Sequence, residues 1–211
     1  MKSAIRVVAS SFSAIAGLAS IEHGYFETLQ GNVKPSSIMI SSIGLPCQPD
    51  TVWYACEPAM TIIPNFFITG ILAIIVGLIV LIWAAAFVQR KNGGLVLILL
   101  SILMLLVGGG IFPPLIGIIG GVVGTRINKP LTWWRAHLSG KPLRLLAKLW
   151  PWSLVAFFLW LFGQWIIGYF FNEFLTKSGL LIPLLIIGLL LLTVFTAFEH
   201  DIRDDNRIVV E

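Results

Sequence analysis

The chain has 211 residues, 57% of them hydrophobic and only 11% charged, with a formal net charge of +4 and a mean hydropathy of +0.94. That is more apolar surface than one water-soluble core can hide, so a soluble globular domain is excluded. The expectation is an all-α polytopic membrane protein, because a bilayer core of about 30 Å calls for helices of about 20 apolar residues.

The first candidate span is Ala4 to Ile21, rich in small residues. Lys2 and Arg6 ahead of an apolar stretch also fit the start of a signal peptide, but the expectation is an uncleaved first helix. Ser13 and Gly17, and likewise Ala16, Ser20 and Gly24, follow the small-xxx-small spacing that lets helix backbones approach closely in lipid. At its end stand Glu22, His23 and Glu27. If the helix continues, His23 and Glu27 share a face one turn apart and can contact each other or a common ligand. Two ligands fall short of a stable zinc site, which wants three or four.

The stretch from about His23 to Met60, with the disulfide loop at 28–61, is expected to be extracytoplasmic and net negative through Glu22 at its edge, Glu27, Asp50 and Glu57 against Lys34. Cys47 and Cys56 lie among prolines with no histidine nearby, which points to a structural disulfide and not a metal site. The spacing departs from the Cys-x-x-Cys of redox-active pairs.

Ile62 to Val88 is the next span, with Thr61 as its expected cap and Pro64 in the first turn. Leu95 to Gly124 is also uncharged, yet a straight helix of that length would run to about 45 Å, longer than the hydrocarbon is thick. Its middle carries Gly108, Gly109, Gly110, Pro113 and Pro114, which break a helix. It is therefore either one broken crossing or a re-entrant hairpin. With a hairpin, twelve of the fourteen basic residues fall on one side, leaving Lys34 and Lys177 on the other; with a crossing, the better split is nine to five. Since Lys and Arg mark cytoplasmic loops, the expected fold is four transmembrane helices plus a membrane-embedded hairpin at 95–124. Five transmembrane helices are the alternative. Both termini are expected in the cytoplasm, in the plasma (inner) membrane.

The segment 126–151 carries six basic residues among tryptophans and leucines. Arg135, Lys141, Arg144 and Lys148 are expected to meet anionic lipid, with 142–150 as an interfacial helix. Membrane lipids thus suffice as partners for the cations, and nucleic acid is not needed to explain them. Trp152 to Phe171 and Leu180 to Phe198 are expected to form an antiparallel helical pair joined by the turn Asn172 to Gly179, and Gln164 is a polar group within the first of them. The tail 199–211 begins with the acids Glu199, Asp201, Asp204 and Asp205, expected to pair with the basic segment.

No nucleophile elbow, His-Glu-x-x-His or phosphate-binding loop is present, and no cofactor is implied. The interiors of the spans as bounded above carry no charged residue, which speaks against a proton-driven mechanism. The leading functional reading is a small channel or carrier with a cation-attracting outer face. In it Gly108, Gly109, Gly110, Pro113, Pro114 and Gln164 border a pathway. The alternatives are a non-catalytic subunit or assembly factor of a larger membrane complex, or a homo-oligomer of that kind, and a membrane enzyme acting on lipid headgroups.

Overall fold

The computed structural model describes residues 3–42, 57–137 and 143–208. The expected Cys47–Cys56 disulfide and the side chain of Lys141 fall outside them. The chain divides into two compact units, Ala9–Thr125 and Met1–Val8 with Arg126–Glu211.

Four helices are long and apolar enough to cross a membrane: Ala4–Leu29, Phe66–Ala86, Leu146–Phe170 and Leu181–Asp204. Two shorter apolar helices, Gly93–Leu106 and Phe112–Gly124, lie between the second and third. The chain is an all-α polytopic protein embedded in a membrane.

In the unit Ala9–Thr125, helix α1 (Ala4–Leu29) runs two turns beyond the expected end. It lies antiparallel to α2 (Phe66–Ala86), and glycines set the distance between them. A Cβ placed on Gly17 would meet the Gly77 carbonyl oxygen at 2.6 Å, and one on Gly24 would meet that of Gly70 at 2.5 Å. The contacts are reciprocal, so two glycine pairs seven residues apart bring backbone onto backbone. Ser10 Oγ continues the seam by donating to the Ala84 carbonyl at 2.8 Å.

Asn65, not Thr61, caps α2: its side chain accepts from the Ile68 amide at 3.0 Å. Asparagine is the stronger N-cap, and Pro64 therefore precedes the helix instead of opening it. Thr61 extends a short antiparallel hairpin of β1 (Met39–Ser41) and β2 (Pro58–Met60), in which Met39 pairs with Met60.

The glycine-proline segment does break the helix. α3 (Gly93–Leu106) and α4 (Phe112–Gly124) form an antiparallel pair, with Pro113 and Pro114 in the first turn of α4, where a missing donor is harmless. At its open end a Cβ on Gly94 would lie 2.5 Å from the Gly121 carbonyl and against the Thr125 amide. Helices of 14 and 13 residues measure about 21 and 20 Å, short of a full crossing.

The backbone groups freed at the break are not left open. Thr61 bridges to Val107, the Ile62 amide donates to Leu106 at 3.0 Å, and the Gly108 amide to Met60 at 2.9 Å. Thr69 Oγ1 donates to the Val107 carbonyl at 2.8 Å and lies 2.5 Å from Thr61 Oγ1. Irregular backbone inside a membrane requires this kind of satisfaction.

In the other unit, α5 (Thr132–His137) precedes α6 (Leu143–Phe170), α7 (Asn172–Ser178) and α8 (Leu181–Ile208). α6 and α8 pack antiparallel, with Ser153 Oγ 2.8 Å from Thr196 Oγ1 and the Trp150 ring centroid 5.6 Å from that of His200 at a tilt of 60°. The segment 143–150 is the first two turns of α6 and not a separate interfacial helix. The helix passes through Pro151, and Ser153 Oγ donates to the Trp150 carbonyl at 2.8 Å one turn back. The acids Glu199, Asp201, Asp204 and Asp205 of the tail lie on α8. Glu199 accepts from Arg203 Nε at 2.6 Å. Asp201 accepts from the Ser3 hydroxyl and from the Ala4 and Ile5 amides, capping the first turn of α1.

The glycine pairs give a stability prediction. Gly24→Val should lower the unfolding midpoint in detergent by the equivalent of about 2 kcal/mol or more, because backbone cannot yield to the new side chain. Gly163→Ala, where no atom lies within 4 Å of the new methyl, should be neutral or raise it by about 0.5 to 1 kcal/mol. Thermal scanning with circular dichroism measures both.

Candidate functional site

The extension of α1 to Leu29 carries His23 and Glu27 along one face of a continuous helix, and both are fully buried. Glu22, on the same turn, is exposed. The sequence had counted these groups as loop-edge residues; on the helix they belong to the longest of the apolar segments in this unit.

His23 and Glu27 do not bond each other. His23 Nδ1 lies 2.5 Å from Ser42 Oγ, and Nε2 lies 3.5 Å from Glu57 Oε1. Ser42 in turn donates to the Glu57 carbonyl at 3.1 Å, so the strands β1 and β2 hold the imidazole from the loop side. Neither oxygen of the Glu27 carboxylate has a hydrogen-bond partner among the described residues.

What faces Glu27 is the break between α3 and α4. A Cβ on Gly108 would fall 2.7 Å from Glu27 Oε1 and closer still to Oε2, and one on Gly110 would lie 2.8 Å from His23 Nε2. Gly109 abuts Ser20 Oγ at 2.5 Å in the same sense. Gly108 and Gly110 also adopt φ of +93° and +86°, a region that side-chain-bearing residues rarely enter. Glycine is thus demanded twice at these positions, once by backbone geometry and once by the acid and imidazole pressed against it.

His23 and Glu27 from one group singled out by sequence and Gly108 and Gly110 from the other therefore converge at one place, while Glu22 points away into an exposed position. Gln164 belongs to the other unit; it is buried on α6, and its Oε1 has no hydrogen-bond partner among the described residues. Ser42 and Glu57 were not foreseen as site residues. Their only signal was that each is a polar residue beside a short apolar strand. Of the cationic candidates, Lys148 is exposed beside exposed Leu149 on α6.

The geometry defines a class: a polytopic helical membrane protein whose first helix presents to the glycine break of a short helical hairpin a buried carboxylate with no hydrogen-bond partner among the described residues. No protein-family model, curated protein or solved structure matches the chain.

Gly108→Ala should destabilise the protein by at least about 2 kcal/mol, combining the positive-φ cost with the collision against Glu27. In a Glu27→Ala background the collision disappears, and the same substitution should cost about 1 to 2 kcal/mol, the backbone part alone. A double-mutant cycle on unfolding free energies reads the difference; equal costs in both backgrounds would separate Gly108 from Glu27.

Proposed function

We propose that the chain is a small channel- or carrier-type membrane protein in which Glu27 is the cation-binding group. The observation that carries this reading is the Glu27 carboxylate, fully buried, with neither oxygen paired among the described residues, and set against an irregular glycine backbone. Ionisable groups buried in membrane helices are costly to maintain and mark ion and proton pathways. Broken helices placed opposite them are the recurring way in which transporters offer backbone groups to a solute. The longer α1 brings Glu27 inside a span, so the span interiors are not free of charge and proton coupling is open to this fold.

In this reading α3 and α4 enter and leave the bilayer on the side of both termini, the arrangement that collects twelve basic residues on one face. Their tip then meets Glu27 near the outer surface. The acidic loop above it, with Glu57 at its inner edge, concentrates cations there. Arg135, Lys141, Arg144 and Lys148 meet anionic lipid on the cytoplasmic side.

Purified protein reconstituted in vesicles should pass a small monovalent cation under an imposed membrane potential, followed with dyes for protons, sodium and potassium. Glu27→Gln should reduce that flux about tenfold or more, since the amide keeps the shape and loses the charge. Folded wild-type protein that leaves all three cations at the rate of protein-free vesicles would contradict the reading.

A further inference from the structure

Beyond Glu27, the face of α1 that meets the hairpin carries polar groups in a regular column. Ser13 Oγ lies where Gly120 has no side chain, at 2.5 Å from the position a Cβ would take. A Cβ on Gly117 would touch both Ser101 Oγ and, at 3.2 Å, the Ala16 methyl, which puts the Ser101 hydroxyl at the level of Ala16. Ser20 stands against Gly109, His23 against Gly110 and Glu27 against Gly108.

Measured along α1, these levels are residues 13, 16, 20, 23 and 27, steps of three or four residues and hence rises of about 4.5 to 6 Å. One water molecule accepting and donating at about 2.8 Å spans such a step. Ser13, Ser20, Ser101, His23 and Glu27 are all fully buried, and the hydroxyls of Ser13 and Ser101, like the Glu27 carboxylate, have no hydrogen-bond partner among the described residues. A buried hydroxyl without a protein partner is held at a cost of about 1 to 3 kcal/mol unless a mobile donor or acceptor meets it. Ser20, by contrast, donates to the Ala73 carbonyl of α2 at 3.0 Å, as Ser10 does to Ala84 on the opposite face.

We infer that the seam between α1 and the α3–α4 hairpin is a proton path, running from Glu27 past His23, Ser20 and Ser101 to Ser13. The inference rests on Glu27 as the cation site and names the cation. A single carboxylate can hold a proton by itself. A metal ion needs several ligands, and no group of three His, Cys, Asp or Glu side chains converges among the described residues. α2, α3, α4 and the linker at Gly108–Gly110 contain no titratable residue. The titratable groups around Glu27 among the described residues are His23, the exposed Glu22 and Glu57. In the forward step a proton from the outer side adds to a Glu27 carboxylate oxygen. It leaves that oxygen for the next hydroxyl or bridging water, which releases its own proton onward, so each group along the column returns to its starting state.

The test uses the full chain in vesicles carrying an interior pH dye or a sodium or potassium dye. Ser13→Ala, Ser101→Ala, their combination, Glu27→Gln and the off-seam control Ser10→Ala are compared. Wild type should carry protons in preference to sodium and potassium. The double serine variant should lose about tenfold or more of that flux, as does Glu27→Gln, while keeping the wild-type thermal midpoint because the removed hydroxyls have no protein partner. Ser10→Ala should keep the flux. Where the combination fails to fold, each single serine variant should show a reduction by itself. Glu27-dependent passage of sodium or potassium without protons, or undiminished proton flux in the folded serine variants, would overturn the proton path while leaving Glu27 as a cation site. Absence of any cation flux in wild type would remove both.

Discussion

The close approach of α1 to the α3–α4 hairpin is the contact on which the arrangement of the unit Ala9–Thr125 depends. It is possible only because the facing positions are glycine. Gly120 and Gly117 leave room for Ser13, Ser101 and Ala16, and Gly108 and Gly110 leave room for Glu27 and His23. In lipid, water cannot drive apolar helices together, so association comes from backbone proximity and satisfied polar groups. Glycine supplies the first and weakens the helix that uses it. The Gly108–Gly110 run illustrates both effects, ending α3 and admitting the acid in one stroke.

The ends of that hairpin are secured differently. At the open end, Gly94 meets the backbone of Gly121 and Thr125, with no polar side chain involved. At the tip, Thr61, Thr69 and the β2 strand take up the free groups of Leu106, Val107 and Gly108. The tip is therefore tied to the same strand pair that orients His23 through Ser42 and Glu57. A movement of the β1–β2 strand pair would reach the imidazole and the break together.

Much of this was legible in the sequence. Runs of apolar residues located all four long helices, because the thickness of a bilayer imposes a length that chance composition rarely meets. The break at Gly108–Pro114 was visible for an equally simple reason: three glycines and two prolines cannot continue a helix. Boundaries were less legible. α1 continues past Ile21 through Glu22, His23 and Glu27 because tertiary burial outweighs local polarity, and a hydropathy reading ends a span at its first charges. α6 likewise runs through Pro151, which a sequence reading takes as a helix boundary. The convergence of Glu27 with Gly108 was not readable at all, since 81 positions separate them in the chain and nothing local to either announces the other.

The central claim is that α3 and α4 fold back so that both ends of the segment lie on one side of the membrane, with the glycine tip at Glu27. Single cysteines at Asn92 and Asn128, in a chain whose Cys47 and Cys56 are replaced by serine, can be labelled in sealed, oriented vesicles with an impermeant thiol reagent. The account predicts that both positions react from the side that also exposes the N-terminus and that neither reacts from the other side. Reaction of the Asn128 position from the opposite side would make the segment a full crossing and contradict the account.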